Sequence, residues 1–113
     1  MSQITTHVLD TAKGCPASGI TISLQRPVGD KQWKEVTSGV TNDDGRISDF
    51  LAKDRVIDPG VYRMVLSTGD YFRKEEIVGF YPEVPVIFEI RDTAHYHIPL
   101  LISPFGYSTY RGS

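Results

Sequence analysis

A chain of 113 residues, 40% hydrophobic and 23% charged, is one domain with enough interior to bury a core of its own. Its 12 basic and 14 acidic residues nearly cancel, so neither nucleic acid nor an anionic membrane is expected as the main partner. No apolar run approaches the ~20 residues of a bilayer span, the one cysteine, Cys15, rules out an internal disulfide, and neither Met1-Ser2-Gln3-Ile4 nor Arg111-Gly112-Ser113 reads as an address, so a cytoplasmic protein is expected.

Short alternating runs follow one another along the chain. Ile4 to Asp10 reads as a strand with Thr5, His7 and Leu9 on one face and Ile4, Thr6 and Val8 on the other. Lys13-Gly14-Cys15-Pro16 is a turn; Cys15 there is either a small apolar residue or a reactive thiol, and no neighbouring base argues for the latter. Ile20, Ile22 and Leu24 face one way and Thr21 and Ser23 the other, the period of a half-buried strand. Val28-Gly29-Asp30-Lys31 should close a hairpin, and Asn42-Asp43-Asp44-Gly45 supplies residues that tolerate positive φ. Asp58-Pro59-Gly60 is a further turn before a strand with Tyr62, Met64 and Leu66 on one face. Ser67-Thr68-Gly69-Asp70 offers capping oxygens before one short helix over Tyr71–Val78, with Gly79 as its stop. Val86, Phe88 and Ile90 alternate with Glu89 and Arg91, and Ser103-Pro104-Phe105-Gly106 turns the chain once more. The sum is an all-β fold: two packed sheets, about seven or eight strands and one short helix.

Three histidines fall at informative places. His7 lies on the first strand. His95 and His97 share one face of the run His95 to Leu101, with Tyr96 and Ile98 opposite. An imidazole suits proton transfer because its ordinary pKa is about 6.5. Three readings stand beside one another: a solvated polar face, a three-histidine zinc site, and acid–base catalysis. Arg46, just after the Asp44-Gly45 turn, is either a solvated charge or a planar donor to an anionic or carbonyl-rich ligand. The tail Tyr107 to Ser113 carries two tyrosines, an arginine and three hydroxyl residues, which makes it a candidate wall of a polar site. No Gly-x-Ser-x-Gly elbow is present, so a covalent serine mechanism is not expected.

Three segments together resemble one family. Thr6-His7-Val8-Leu9-Asp10 is similar to the opening strand of the transthyretin-like proteins, and Phe80-Tyr81-Pro82-Glu83-Val84 to the segment after their short helix. The run from His95 through Tyr110-Arg111-Gly112-Ser113 resembles the closing signature of their 5-hydroxyisourate hydrolases. The hormone-carrying transthyretins lack that ending and the histidines at the matching positions. The resemblance covers the whole chain and implies a transthyretin-like β-sandwich of two antiparallel sheets with one short helix, as a single domain over residues 1–113. It also implies hydrolysis of 5-hydroxyisourate, the product of urate oxidase, to 2-oxo-4-hydroxy-4-carboxy-5-ureidoimidazoline. Carried over by position, His7, Arg46 and His97 are catalytic, and Tyr110, Arg111, Gly112 and Ser113 bind substrate. His95 has no assigned part. The family's homotetramer, with its sites where two dimers meet, is implied in the same way. No metal or cofactor is expected, and water is the direct nucleophile. The rival readings are a small-molecule carrier with an apolar channel and a plain sandwich adhesion module.

Overall fold

Period-two burial runs along Ile4–Asp10 (β1), where Ile4, Thr6, Val8 and Asp10 are buried and Thr5, His7 and Leu9 are half-buried. Similar alternation marks three other strands, Thr21–Pro27, Gly60–Leu66 and Val84–Ile90, of this computed structural model, which describes residues 2–113. Cys15–Pro16 (β2), Thr21–Pro27 (β3), Trp33–Val40 (β4) and Gly60–Leu66 (β5) precede the helix Thr68–Lys74 (α1). Val84–Ile90 (β6), Tyr96–Ser103 (β7) and Gly106–Thr109 (β8) follow it. The strands form two four-stranded sheets, ordered β2-β1-β7-β8 and β4-β3-β5-β6.

The expected sandwich is therefore present, with one difference in its pairing. β1 runs parallel to β7, with Thr5 beside His97 and His7 beside Pro99, so the first sheet is mixed rather than wholly antiparallel. Strands that are neighbours in sequence can return through a hairpin, as β3–β4 and β7–β8 do. β1 and β7 are separated by most of the chain, which leaves their relative direction free. The sheets bury Ile4, Val8, Leu100 and Ile102 against Ile22, Leu24, Met64, Leu66 and Ile90. Removing one such side chain typically costs about 2–5 kcal/mol.

The helix departs from its expected bounds. It begins at Thr68 and is closed by Glu75, not Gly79. Ser67 makes no capping bond through its side chain; Thr68 Oγ1 instead donates to Tyr81 O at 3.2 Å. Glu76 takes φ +58° and turns the chain away. Gly79 has a different use: a Cβ there would stand 2.8 Å from the Phe72 ring. The helix is tied to β1 through a buried carboxylate. Asp10 accepts the amides of Ala12 and Lys13, both at 3.1 Å, and the hydroxyl of Tyr71 at 2.8 Å. Burial, then the bond to Asp10, pushes the Tyr71 phenol well above its ordinary pKa. Cys15 is a free, half-buried thiol. No helix among the described residues is long and apolar enough to cross a membrane.

Candidate active site

Because β1 and β7 are parallel and paired Thr5 to His97, the outward residues of both strands lie side by side on one face. His7 and His97 are both half-buried there. Two additional segments extend this face. On the far side of β1, Arg46 bridges to His7; on the far side of β7, Gly112 bridges to His97. The order across the sheet face is thus Arg46, His7, His97, Gly112.

Arg46 is set by the turn that precedes it. Asn42 Oδ1 accepts the amides of Asp44 at 2.9 Å and Arg46 at 3.1 Å, and the Asn42 amide donates to Arg46 O at 2.7 Å. Gly45 takes φ +74° and its carbonyl accepts the Val8 amide at 2.9 Å. A Cβ at Gly45 would lie 2.4 Å from Val8 O, so both conformation and space demand glycine.

The tail continues the register of β8 past the last formal strand residue. The Gly112 amide donates to His97 O at 2.8 Å, and a Cβ at Gly112 would lie 2.7 Å from His97 Cδ2. Gly112 thus lets the backbone lie directly on the imidazole. Tyr110 and Ser113 are exposed. Arg111 is the member of the expected set that the structure does not bring to the histidine face. Its guanidinium stacks 4.2 Å from the centre of the Tyr96 ring, and it lines a cleft of about 220 Å³ with Val86, Phe88, Ile98 and Tyr110. Strand alternation explains this, since Arg111 is one residue out of phase with Gly112.

The structure adds one residue that sequence reasoning left aside. Thr5 Oγ1 lies 2.7 Å from His97 Nδ1 and 2.8 Å from His95 Nε2. His95 precedes β7 and is exposed, yet its ring is stacked on that of His97 at 6.4 Å and 27°. The signal was available: Thr5 was placed on the His7 face, but no partner could be named without the pairing of β1 with β7.

Burial holds His97 below the ordinary imidazole pKa of 6.5, and the charges of Arg46, His95 and His7 press the same way. His97 is therefore neutral at pH 7 and able to accept a proton. Among the described residues, no three His, Cys, Asp or Glu side chains are grouped to hold a metal ion. The arrangement offers neutral imidazole and a guanidinium along an open sheet face. Those are the parts needed to place a planar polar ring and move a proton beside it.

The HIUase/Transthyretin family model matches residues 4–112. The chain belongs to this family. It is 44% identical to a 5-hydroxyisourate hydrolase of Mus musculus over 99% of this chain and 96% of the relative. Among solved structures, it is similar to the 5-hydroxyisourate hydrolase of Klebsiella pneumoniae, with a TM-score of 0.86 and 38% identity over 99% of this chain and all of that one (100%). It is similar also to sea bream transthyretin in complex with thyroxine, with a TM-score of 0.89 and 28% identity over 97% and 94% of the two chains. Backbone shape therefore does not separate the family's enzymes from its carriers, and the side chains of the site must.

Proposed function

We propose that this protein hydrolyses 5-hydroxyisourate to 2-oxo-4-hydroxy-4-carboxy-5-ureidoimidazoline, a step of urate breakdown. The observation that carries the reading is the grouping of His7, His97 and Arg46 on one sheet face. A carrier of an apolar ligand gains nothing from bases and a guanidinium on its binding surface, whereas a hydrolase requires them. Identity points the same way, at 38% to the Klebsiella pneumoniae hydrolase against 28% to sea bream transthyretin.

Opening the ring requires water to add to a carbonyl and a C–N bond to break. His97, kept neutral by burial and by the Arg46 charge, takes a proton from the attacking water. His7, across the β1–β7 pair, orients the water or protonates the leaving nitrogen. Arg46 faces the ring oxygens and stabilises the oxyanion. Of the tail, Tyr110, Gly112 and Ser113 bind substrate, with Gly112 also seating the His97 ring, while Arg111, stacked on Tyr96, anchors the tail. No step in this scheme uses a metal or cofactor.

The site of one chain is open: Arg46, His95, Tyr110 and Ser113 are exposed and the two central imidazoles are half-buried. Leu9 and Leu101 are half-buried on the same face. A second sheet laid on this face would cover both leucines and wall the substrate in. We therefore propose a homotetramer with sites where two dimers meet, and the cytoplasm as its compartment.

A coupled assay tests the function. Urate and urate oxidase generate 5-hydroxyisourate, and its ultraviolet signal is followed with and without this protein and with and without chelator. Faster decay that ignores the chelator is expected. No acceleration would overturn the hydrolase reading in favour of a carrier.

A further inference from the structure

We propose that Thr5 is a positioning residue whose hydroxyl joins His97 to His95 in one hydrogen-bonded chain, through which the proton taken from water leaves to solvent. The inference rests on the hydrolase reading and extends it to a residue and a path that reading does not use.

A threonine hydroxyl has one hydrogen and two lone pairs. Placed 2.7 Å from His97 Nδ1 and 2.8 Å from His95 Nε2 and bonded to no other group among the described residues, it uses its own hydrogen only by donating to one ring while accepting from the other. Two arrangements follow. In the first, His97 Nδ1–H donates to Thr5, and Thr5 donates to a bare His95 Nε2. His97 Nε2 then carries a free lone pair and is a base. In the second, His95 Nε2–H donates to Thr5, and Thr5 donates to a bare His97 Nδ1. His97 Nε2 then carries hydrogen and is an acid. The state of one nitrogen of an imidazole is set by the hydrogen bond at the other.

Proton uptake converts the first arrangement into the second. A water O–H bond breaks and His97 Nε2–H forms. The His97 Nδ1 proton passes to Thr5 Oγ1 while the Thr5 proton passes to His95 Nε2. His95, exposed, then releases its own Nδ1 proton to solvent. One proton has moved from water to bulk and no imidazolium remains on His97. This matters because His97 is a poor place to leave a charge. It is half-buried, and the charged and titratable groups that act on it are Arg46, His95 and His7, none of them acidic. In the second arrangement His97 can also protonate the leaving nitrogen, and the chain then runs in reverse.

The test uses the full-length protein with Thr5→Val, Thr5→Ser and His95→Phe, measured for kcat and KM against 5-hydroxyisourate across pH, with ¹⁵N-histidine NMR of the free proteins. Thr5→Val, which keeps the shape and removes the hydroxyl, should lower kcat by on the order of 10- to 100-fold, as loss of an orienting partner does for other functional imidazoles. KM should be essentially unchanged. Thr5→Ser should retain the wild-type rate, and His95→Phe should reproduce the kcat loss. In the NMR arm, Thr5→Val should shift the tautomer balance of both His95 and His97. Full kcat in Thr5→Val or His95→Phe, or a Thr5→Ser as slow as Thr5→Val, overturns the relay. Unchanged His95 and His97 resonances in Thr5→Val overturn the hydrogen-bonded chain without reference to any substrate. A wild type that is inert towards 5-hydroxyisourate overturns the hydrolase reading instead, so the two failures are distinguishable.

Discussion

The outward faces of the two sheets differ in how their polar groups are spent. On β3, β4 and β5 the polar side chains satisfy one another. Ser23 donates to Glu35 at 2.8 Å, Gln25 donates to Ser23 at 3.1 Å, and Arg63 donates to Gln25 at 2.6 Å. The Arg63 guanidinium also lies 4.4 Å from the Trp33 ring centre. On β1 and β7 three imidazoles and the Arg46 guanidinium gather, and no carboxylate acts on His97. The first network closes on itself and leaves solvent little to bind. The second keeps donors and lone pairs uncommitted, which is a cost in a merely structural surface and a requirement in a site.

That contrast can be broken most directly at His97. His97→Ala should lower kcat by about 10²- to 10⁴-fold, the range for lost acid–base help, in the urate oxidase-coupled assay. The melting temperature should move little, because the ring packs on an outward face. An equal loss of rate from Arg63→Ala would show that the two faces are not different in kind. Gly112→Ala comes next. Its new methyl, 2.7 Å from His97 Cδ2, must push the ring or the tail aside. A misplacement of about 1 Å can cost on the order of 10²-fold, and the loss should appear in kcat with folding intact by circular dichroism.

A pH profile sharpens the comparison further. The base is neutral His97, whose pKa in the folded chain lies below 6.5. The rate should therefore be level at neutral pH and fall as pH drops through that lowered value. Arg46 is one of the charges holding the pKa down, so Arg46→Gln should move the acid limb upward towards 6.5. A limb that stays in place would remove Arg46 from the neighbourhood of His97. The stability consequence has the same sign. The unfolded chain binds the His97 proton more readily than the folded one, so stability declines as pH falls below 6.5 towards the folded value. The smallest effect is expected on the other face. Arg63→Ala should leave the rate unchanged and cost about 1–2 kcal/mol of stability, read by urea unfolding, since it removes one part-buried hydrogen bond and a cation–π contact.

Residue type alone marked the histidines, the family resemblance joined them to Arg46 and the tail, and the parts that neither reached share one cause. His7 and His97 could be singled out because imidazole at strand positions is informative by type. Gly45 was readable as a turn residue, and it does adopt φ +74°. Thr5 was not readable, because a threonine on a strand is ordinary until its two imidazole partners are known. Arg111 was grouped with the rest of the tail, yet a period of two sends it to Tyr96 on the other side. The helix begins three residues before the expected Tyr71, and the Thr68 hydroxyl expected to cap it bonds to Tyr81 instead.

By itself, then, the sequence determined β1, β3, β5, β6 and β7, which of their faces are buried, and which side chains could carry chemistry; it read Cys15-Pro16 as a turn and did not name Trp33–Val40. Those properties are local, set by alternation, turn residues and side-chain type. Only the tertiary structure decided that β1 lies parallel to β7 with Thr5 beside His97, and that Arg46 and Gly112 flank the pair. Pairing and register between segments some ninety positions apart in the chain (His97 lies 92 residues from Thr5) depend on how two sheets close over a shared core, which no local pattern records.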